Sequence, residues 1–409
     1  MDGIRNLWRV FAADWLAWLA AGTLALFAIV YVPSVAKVNA PTSSDVVGHD
    51  YMSFYAAGRL VLAGTPEKAY DRAAHVAMQR EAAREAKGGD GFADAYYFAY
   101  PPTYLTVVTP FAALPYMPAF YTWMLVTGAL YVFAVWRILP GWRTVLLAIA
   151  APGALCTFIF GQNAFLTAGL MGLALWSLDR RPLVAGFLIG LLCFKPQLGL
   201  VFPVILVATG RWRAVAGAAL GVAASVAVSL ALHGPETWQA VLAASGGNKD
   251  TLLENSKVGF GKIVTVFSAL RWFGVPVLQA YAMQALAALT AAILVVRLWR
   301  SGAALEVKAA GALAATFLMT PFALPYDLMA EMPAVAFLVA HARRVGFARG
   351  ETWVLGLVVL SPAVATLAFE GPAFLAGVAG AALLFGWTLH RAGVTPWAGA
   401  RATGLARPA

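Results

Sequence analysis

Gly48-His49-Asp50-Tyr51-Met52-Ser53-Phe54-Tyr55-Ala56-Ala57-Gly58-Arg59 is a polar and aromatic island in a chain that is otherwise apolar enough to sit in lipid. At helical spacing Asp50, Phe54 and Gly58 share one face, and Tyr51, Tyr55 and Arg59 the neighbouring one. Gly64 offers a helix stop, and Thr65-Pro66 starts a new turn with proline at a first-turn position. Asp50 then has two readings. It caps the short helix by accepting its free N–H groups, or its carboxylate is kept for chemistry.

Outward from this island the composition decides the fold class. The 409 residues are 61% hydrophobic and 12% charged, with a mean hydropathy of +0.75. Soluble domains carry about 25% charged residues, so a soluble fold is excluded. Apolar runs of about 20 residues recur along the chain, which predicts an all-α polytopic membrane protein. The net charge of +10 would suggest nucleic acid in a soluble chain. Here many of the Lys and Arg residues sit in short loops between apolar runs, which the positive-inside bias explains better, so no nucleic-acid partner is expected. Cys156 and Cys193 read as small buried side chains rather than a disulfide.

Arg5 and Arg9 argue for a cytoplasmic N-terminus, and the first span covers about 11–33, retained rather than cleaved as a signal. Residues 34–100 then form the first extracytoplasmic loop. In it Asp71 caps a helix from Arg72 to Lys87, closed by Gly88-Gly89 and laid at the interface. Tyr96-Tyr97-Phe98-Ala99-Tyr100 is an aromatic belt where the chain returns to the membrane. The segment 101–115 is short and holds four prolines, so it either spans or enters and turns back. Further spans are predicted near 118–136, 144–160, 164–178, 183–194, 198–208, 214–232, 275–298, 304–324, 328–342, 352–369 and 374–389. The total is about 11–13 spans, with 233–262 as a second extracytoplasmic loop and 1–409 as a single transmembrane domain.

Polar groups at membrane depth are costly and mark function or a partner. Lys195, followed by Pro196-Gln197, is either a lysine snorkelling at a tight turn or a cation for an anionic lipid headgroup. Gly161-Gln162-Asn163 is either a polar turn or part of a site, and Asp327 after Pro325-Tyr326 either caps the next helix or belongs there too. The histidines are scattered, no metal-ligand spacing appears and no phosphate-loop signature is present, so neither a divalent metal nor another cofactor is expected.

Together, Asp50-Tyr51, Phe54 to Arg59, Tyr70-Asp71, Tyr100-Pro101-Pro102, Gly161-Gln162-Asn163 and the run Gly186, Gly190, Lys195-Pro196-Gln197 resemble the integral-membrane GT-C glycosyltransferases. Within them the likeness is to glycosyltransferase family 87, the polyprenyl-phosphate-mannose-dependent alpha-1,2-mannosyltransferase-like proteins. It extends to about Arg213, and beyond that it rests on hydropathy and Pro325-Tyr326-Asp327. The resemblance implies a GT-C-type bundle in a bacterial inner membrane. It also implies transfer of a hexose, mannose, from a polyprenyl-phosphate donor to a lipid or glycan acceptor on the outer face, with inversion. Asp50 takes the place of the general base. A histidine of the family's mannosyltransferases is replaced here by Tyr326-Asp327, which leaves the sugar and the acceptor open.

The residue chemistry fits that expectation. A phosphate leaves readily as an anion, so one carboxylate to take the acceptor proton is sufficient, unlike the two carboxyls of most glycosidases. Arg59 and Lys195 are the expected cations for the donor phosphate. His49, Tyr51, Tyr55, Gln162, Asn163, Gln197, Tyr326 and Asp327 are the expected substrate-binding residues. The competing reading is a transporter or flippase of lipid-linked glycans. It predicts charged or broken helices at the midplane, whereas the polar groups here collect at span ends.

Overall fold

The computed structural model describes residues 46–87, 96–249, 253–255, 259–367 and 371–394, with four isolated helical positions between 22 and 29. The expected first span at 11–33 and the Gly88-Gly89 stop therefore lie outside the described residues. Among the described residues there is no strand. The protein is an all-α polytopic membrane protein.

The segment 51–87 is built as its local signals predict. Helix α1 (Tyr51–Leu62) is buried over nearly its whole length and stops at Gly64, whose φ is +76°. A single 3₁₀ turn, Pro66–Tyr70, starts with proline where a missing N–H costs nothing. Helix α2 (Arg72–Lys87) follows, and the Asp71 carboxylate accepts from Ala74 N at 2.8 Å as an N-cap. Helix α3 (Pro102–Ala112) has 11 residues, about 16 Å at 1.5 Å per residue, half the thickness of a bilayer core. It does not cross. The chain leaves from Tyr100 and is back beside Gly48 by Tyr116, whose hydroxyl donates to Val47 O and Gly48 O.

Helix α4 (Tyr116–Ile138) is then long and apolar enough for a full crossing. Helices α5 (Trp142–Ala150) and α6 (Pro152–Phe160) return together, bent by 52° at the Ala151-Pro152 break. Next come α7 (Ala164–Ser177), α8 (Pro182–Gly190) with a 3₁₀ turn at Leu191–Phe194, and the single-turn α9 (Pro196–Gly199). Helices α10 (Val201–Ala208) and α11 (Trp212–Lys249) follow. The remainder is α12 (Val266–Trp272), α13 (Val277–Arg300), α14 (Leu305–Met319), a 3₁₀ segment Pro325–Ala330, α15 (Glu331–Val345), α16 (Glu351–Leu367) and α17 (Leu375–Arg391).

Among the described residues, four helices are long and apolar enough to cross a membrane alone, or five with the bent pair; several of the other predicted spans are shorter apolar helices. Proline and glycine break the runs that hydropathy joins. Within the expected loop 233–262, α11 bends at Gly234-Pro235, where Gly234 has φ +75°, and continues as helix to Lys249. Short α8 is held by small residues instead of length. Gly186 and Gly190 pack on the backbone of α11 at Ala214 and Ala218, while Gly217 and Gly221 pack on that of α8 at Leu183 and Phe187. Any side chain at these four positions would collide with main chain, so the two helices approach backbone to backbone, as small-residue interfaces in membranes do.

The turns sort to two ends. One end gathers Asp179 with Arg211 (2.6 Å), Glu306 with Arg344 (2.7 Å), Arg300 on Ala208 O (2.9 Å) and Arg137 over Trp176 (4.2 Å). The Asp50 island lies at the other.

Candidate active site

Asp50 occupies the N-cap position of α1, yet its side chain makes no capping hydrogen bond. The carboxylate turns away from its own helix. Its Oδ2 accepts from Gln162 Nε2 at 2.7 Å, and His49 Nε2 lies 3.6 Å from Oδ1. Its backbone N–H is also engaged, on Phe160 O at 3.1 Å. The loop before α1 and the turn after α6 are thus one structure.

Two glycines permit that approach. Gly161 has φ +75°, and a Cβ there would lie 2.6 Å from Tyr51 Cβ and 3.3 Å from Gly48 Cα. Gly48 has φ +67°, and a Cβ on it would strike the Phe120 ring. Only glycine takes this backbone conformation without strain and leaves the space.

From Gln162 the polar network runs inward. Gln162 Oε1 accepts from Asn163 N at 3.4 Å, and Asn163 Oδ1 accepts from Lys195 Nζ at 3.0 Å. Lys195 also donates to Asp327 Oδ1. The second oxygen of Asp327 caps its own 3₁₀ turn, accepting from Leu324 N at 3.0 Å. Lys195 and Asp327 are 3% and 1% exposed, a charge pair buried with both partners present. Rings close around the lysine, with Tyr326 at 5.4 Å and Tyr100 at 5.9 Å from Nζ. Phe160 lies beside both Tyr326 and His49, and His49 also stacks on Tyr96 at 5.6 Å.

His49 and Asp50 remain partly open, at 31% and 20% of their side-chain surface. Burial raises the Asp50 carboxyl above its ordinary value. His49, the Gln162 hydrogen bond and the charges of Lys262 and Lys195 act in the opposite direction. The arrangement holds a carboxylate at the open rim of a buried polar network, with one oxygen fixed by an amide and the other beside an imidazole. It can accept a proton from a group entering at that rim. Among the described residues, no three His, Cys, Asp or Glu side chains are grouped as metal ligands.

Of the residues expected at the site, His49, Asp50, Gln162, Asn163, Lys195, Tyr326 and Asp327 come together. The other expected residues lie elsewhere. Tyr51 and Tyr55 are 1% and 0% exposed and belong to an aromatic core with Tyr116, Phe120 and Trp123. Neighbouring positions on a helix point about 100° apart, so the helix that frees Asp50 buries Tyr51. Arg59 sits nine residues further along α1, ~13 Å of rise away, where it pairs with Glu85 at 3.2 Å. Gln197 is half-buried on α9 and has no hydrogen-bond partner among the described residues. Tyr100 and Phe160 were not among the expected site residues. Tyr100 belongs to the Tyr100-Pro101-Pro102 motif and Phe160 directly precedes Gly161-Gln162-Asn163, and those motifs are the available signals.

A model of glycosyltransferase family 87 matches residues 98–321. The chain belongs to glycosyltransferase family 87. The matched stretch carries Tyr100, Gln162, Asn163, Lys195 and Gln197, while Asp50 precedes it and Tyr326 and Asp327 follow it. No curated protein and no solved structure matches the chain. As a member of this family the protein is a membrane glycosyltransferase.

Proposed function

We propose that this glycosyltransferase moves a hexose, mannose, from a polyprenyl-phosphate donor to a lipid or glycan acceptor, at the outer face of a bacterial inner membrane. The observation that carries this reading is the Asp50 carboxylate, turned from its own helix to Gln162 at an open rim. The acceptor hydroxyl attacks the anomeric carbon from the side opposite the phosphate, and Asp50 takes its proton. The bond between the anomeric carbon and the phosphate oxygen breaks, and polyprenyl phosphate leaves with the bonding electrons. One displacement inverts the anomeric centre. Because the leaving group is already an anion, no second carboxyl is required as acid.

Gln162 holds the carboxylate in one orientation, and the ion pair of Lys195 and Asp327 holds Asn163 and so the turn that carries Gln162. Lys195 and Lys262 both act electrostatically on Asp50. Of the two cations expected for the donor phosphate, Lys195 is buried against Asp327 and Arg59 is paired with Glu85. The test is transfer by purified protein from polyprenyl-phosphate mannose, with stereochemistry read by NMR. Inverted product from the wild type, and transfer at least ~100-fold slower by Asp50→Asn, are expected. Retained configuration, or undiminished transfer by the variant, overturns the reading.

A further inference from the structure

Tyr96-Tyr97-Phe98 runs without helix or sheet between α2 and α3, yet side chains hold its backbone at several points. Gln79 Nε2 donates to Tyr96 O at 2.6 Å, and Gln79 Oε1 accepts from Tyr96 N at 3.0 Å. Ser53 Oγ donates to Tyr97 O at 3.0 Å, and the Tyr70 hydroxyl to Tyr100 O at 2.9 Å. Gln79 is wholly buried in this service. The proton transfer assigned to Asp50 uses none of these bonds. What they fix is the position of the rings: Tyr96 against His49, and Tyr97 under the Arg72 guanidinium at 4.9 Å.

Beside those rings opens a cavity of about 240 Å³, walled by Tyr70, Arg72, His75, Tyr96, Tyr97 and Gly247 among others. At ~30 Å³ per water this is room for about eight waters, the scale of one sugar ring. His75 is 3% exposed; its Nε2 faces Ser53 Oγ at 3.3 Å and its Nδ1 has no partner among the described residues. Pockets for small polar molecules combine aromatic walls with a few placed polar groups. Tyrosine rings offer flat faces to the C–H side of a pyranose, and a guanidinium offers donors to its hydroxyls. The described walls include no carboxylate.

We propose that this cavity is an acceptor-side sugar subsite, taking a hexose unit of a glycan acceptor next to the unit whose hydroxyl attacks. Tyr96 is the wall shared with the Asp50 site. It stacks on His49, whose Nε2 is 3.6 Å from the Asp50 carboxylate, so a glycan seated in the cavity extends directly toward the base. The proposal rests on the assignment of Asp50 as that base, and it favours a glycan over a simple lipid acceptor.

Saturation-transfer NMR on the full chain in nanodiscs, with methyl α-mannoside and its disaccharide as probes, tests binding without turnover. Saturation of the sugar protons is expected for wild type and for Asp50→Asn, and its loss in Tyr97→Ala and in Arg72→Gln. Arg72 is exposed, so its replacement leaves the fold intact. In transfer assays at saturating donor, both variants should raise the KM for a disaccharide acceptor about tenfold, the worth of one stack or hydrogen bond. The donor KM should not move. Binding lost in Asp50→Asn but kept in Tyr97→Ala and Arg72→Gln overturns the subsite. A wild type that binds sugar but transfers none keeps the subsite and overturns the Asp50 mechanism instead.

Discussion

At Asp50, capping and catalysis place the same carboxylate in different directions. A capping oxygen must point to the N–H groups two or three residues ahead, and here it points to Gln162. Asp71, one helix later, does cap, and the two make an internal comparison. Asparagine caps as well as aspartate, so Asp71→Asn should fold and transfer normally. Asp50→Asn should fold, bind donor and transfer at least ~100-fold more slowly, within the usual range for general-base catalysis. The pH profile of kcat/KM should report the same group. Burial lifts the Asp50 carboxyl and the Gln162 amide lowers it, because a hydrogen bond to the charged form favours that form. The acid limb should therefore lie above the ordinary carboxylate range, and Gln162→Leu should move it to still higher pH. A limb that stays in place would separate Gln162 from the base.

His75 carries a second pH effect, on stability. Burial lowers its pKa from 6.5 to about 4. Between those values the unfolded chain takes up a proton that the folded chain refuses, so stability falls as pH drops from 6.5 to 4 and is unaffected above. The full window is worth up to ~3 kcal/mol. Thermal unfolding of wild type and His75→Gln across this range should show the wild-type slope reduced in the variant.

Among the elements, the turn after α6 is the one whose residue types are most constrained by its neighbours. Gly161→Ala pays ~1–2 kcal/mol for a left-handed backbone, and its methyl also drives the turn off Tyr51 and Gly48. Gly64→Ala pays for the same backbone in open space, with φ +76° and nothing nearby. Both variants should lose melting temperature. Only Gly161→Ala should also lose transfer, because its collision displaces Gln162 from Asp50. Equal transfer by the two variants would show that the close approach is dispensable for the site.

Across the whole molecule, the Lys195–Asp327 pair ties parts of the chain 132 residues apart. A buried pair broken on one side leaves a bare charge, which costs ~3–5 kcal/mol, whereas replacing both partners by apolar groups is often neutral. Lys195→Met alone should therefore destabilise strongly, and Lys195→Met with Asp327→Leu should recover most of the loss in a melting experiment. Transfer should stay low in both, since Asn163 loses its lysine either way. Recovery of full activity in the double variant would remove the pair from the machinery of the site.

The sequence by itself determined the solvent of the protein and the local punctuation of its helices. Apolar runs, the Asp71 cap, Pro66 at a first turn and the stop at Gly64 act over a few residues, so their physics is complete in the local chain. It also showed that the polar groups sit at span ends. Tertiary structure decided what those groups do. The Asp50–Gln162 bond joins positions 112 apart, and Lys195 meets Asp327 across 132. The same packing buried Tyr51 and Tyr55, held Arg59 away, and cut the predicted spans into short helices stacked on glycine. The free energy of a charge or ring at membrane depth depends on its partners, and those partners arrive from distant segments. Local sequence could mark where such groups lie, and only the folded chain could show which of them meet.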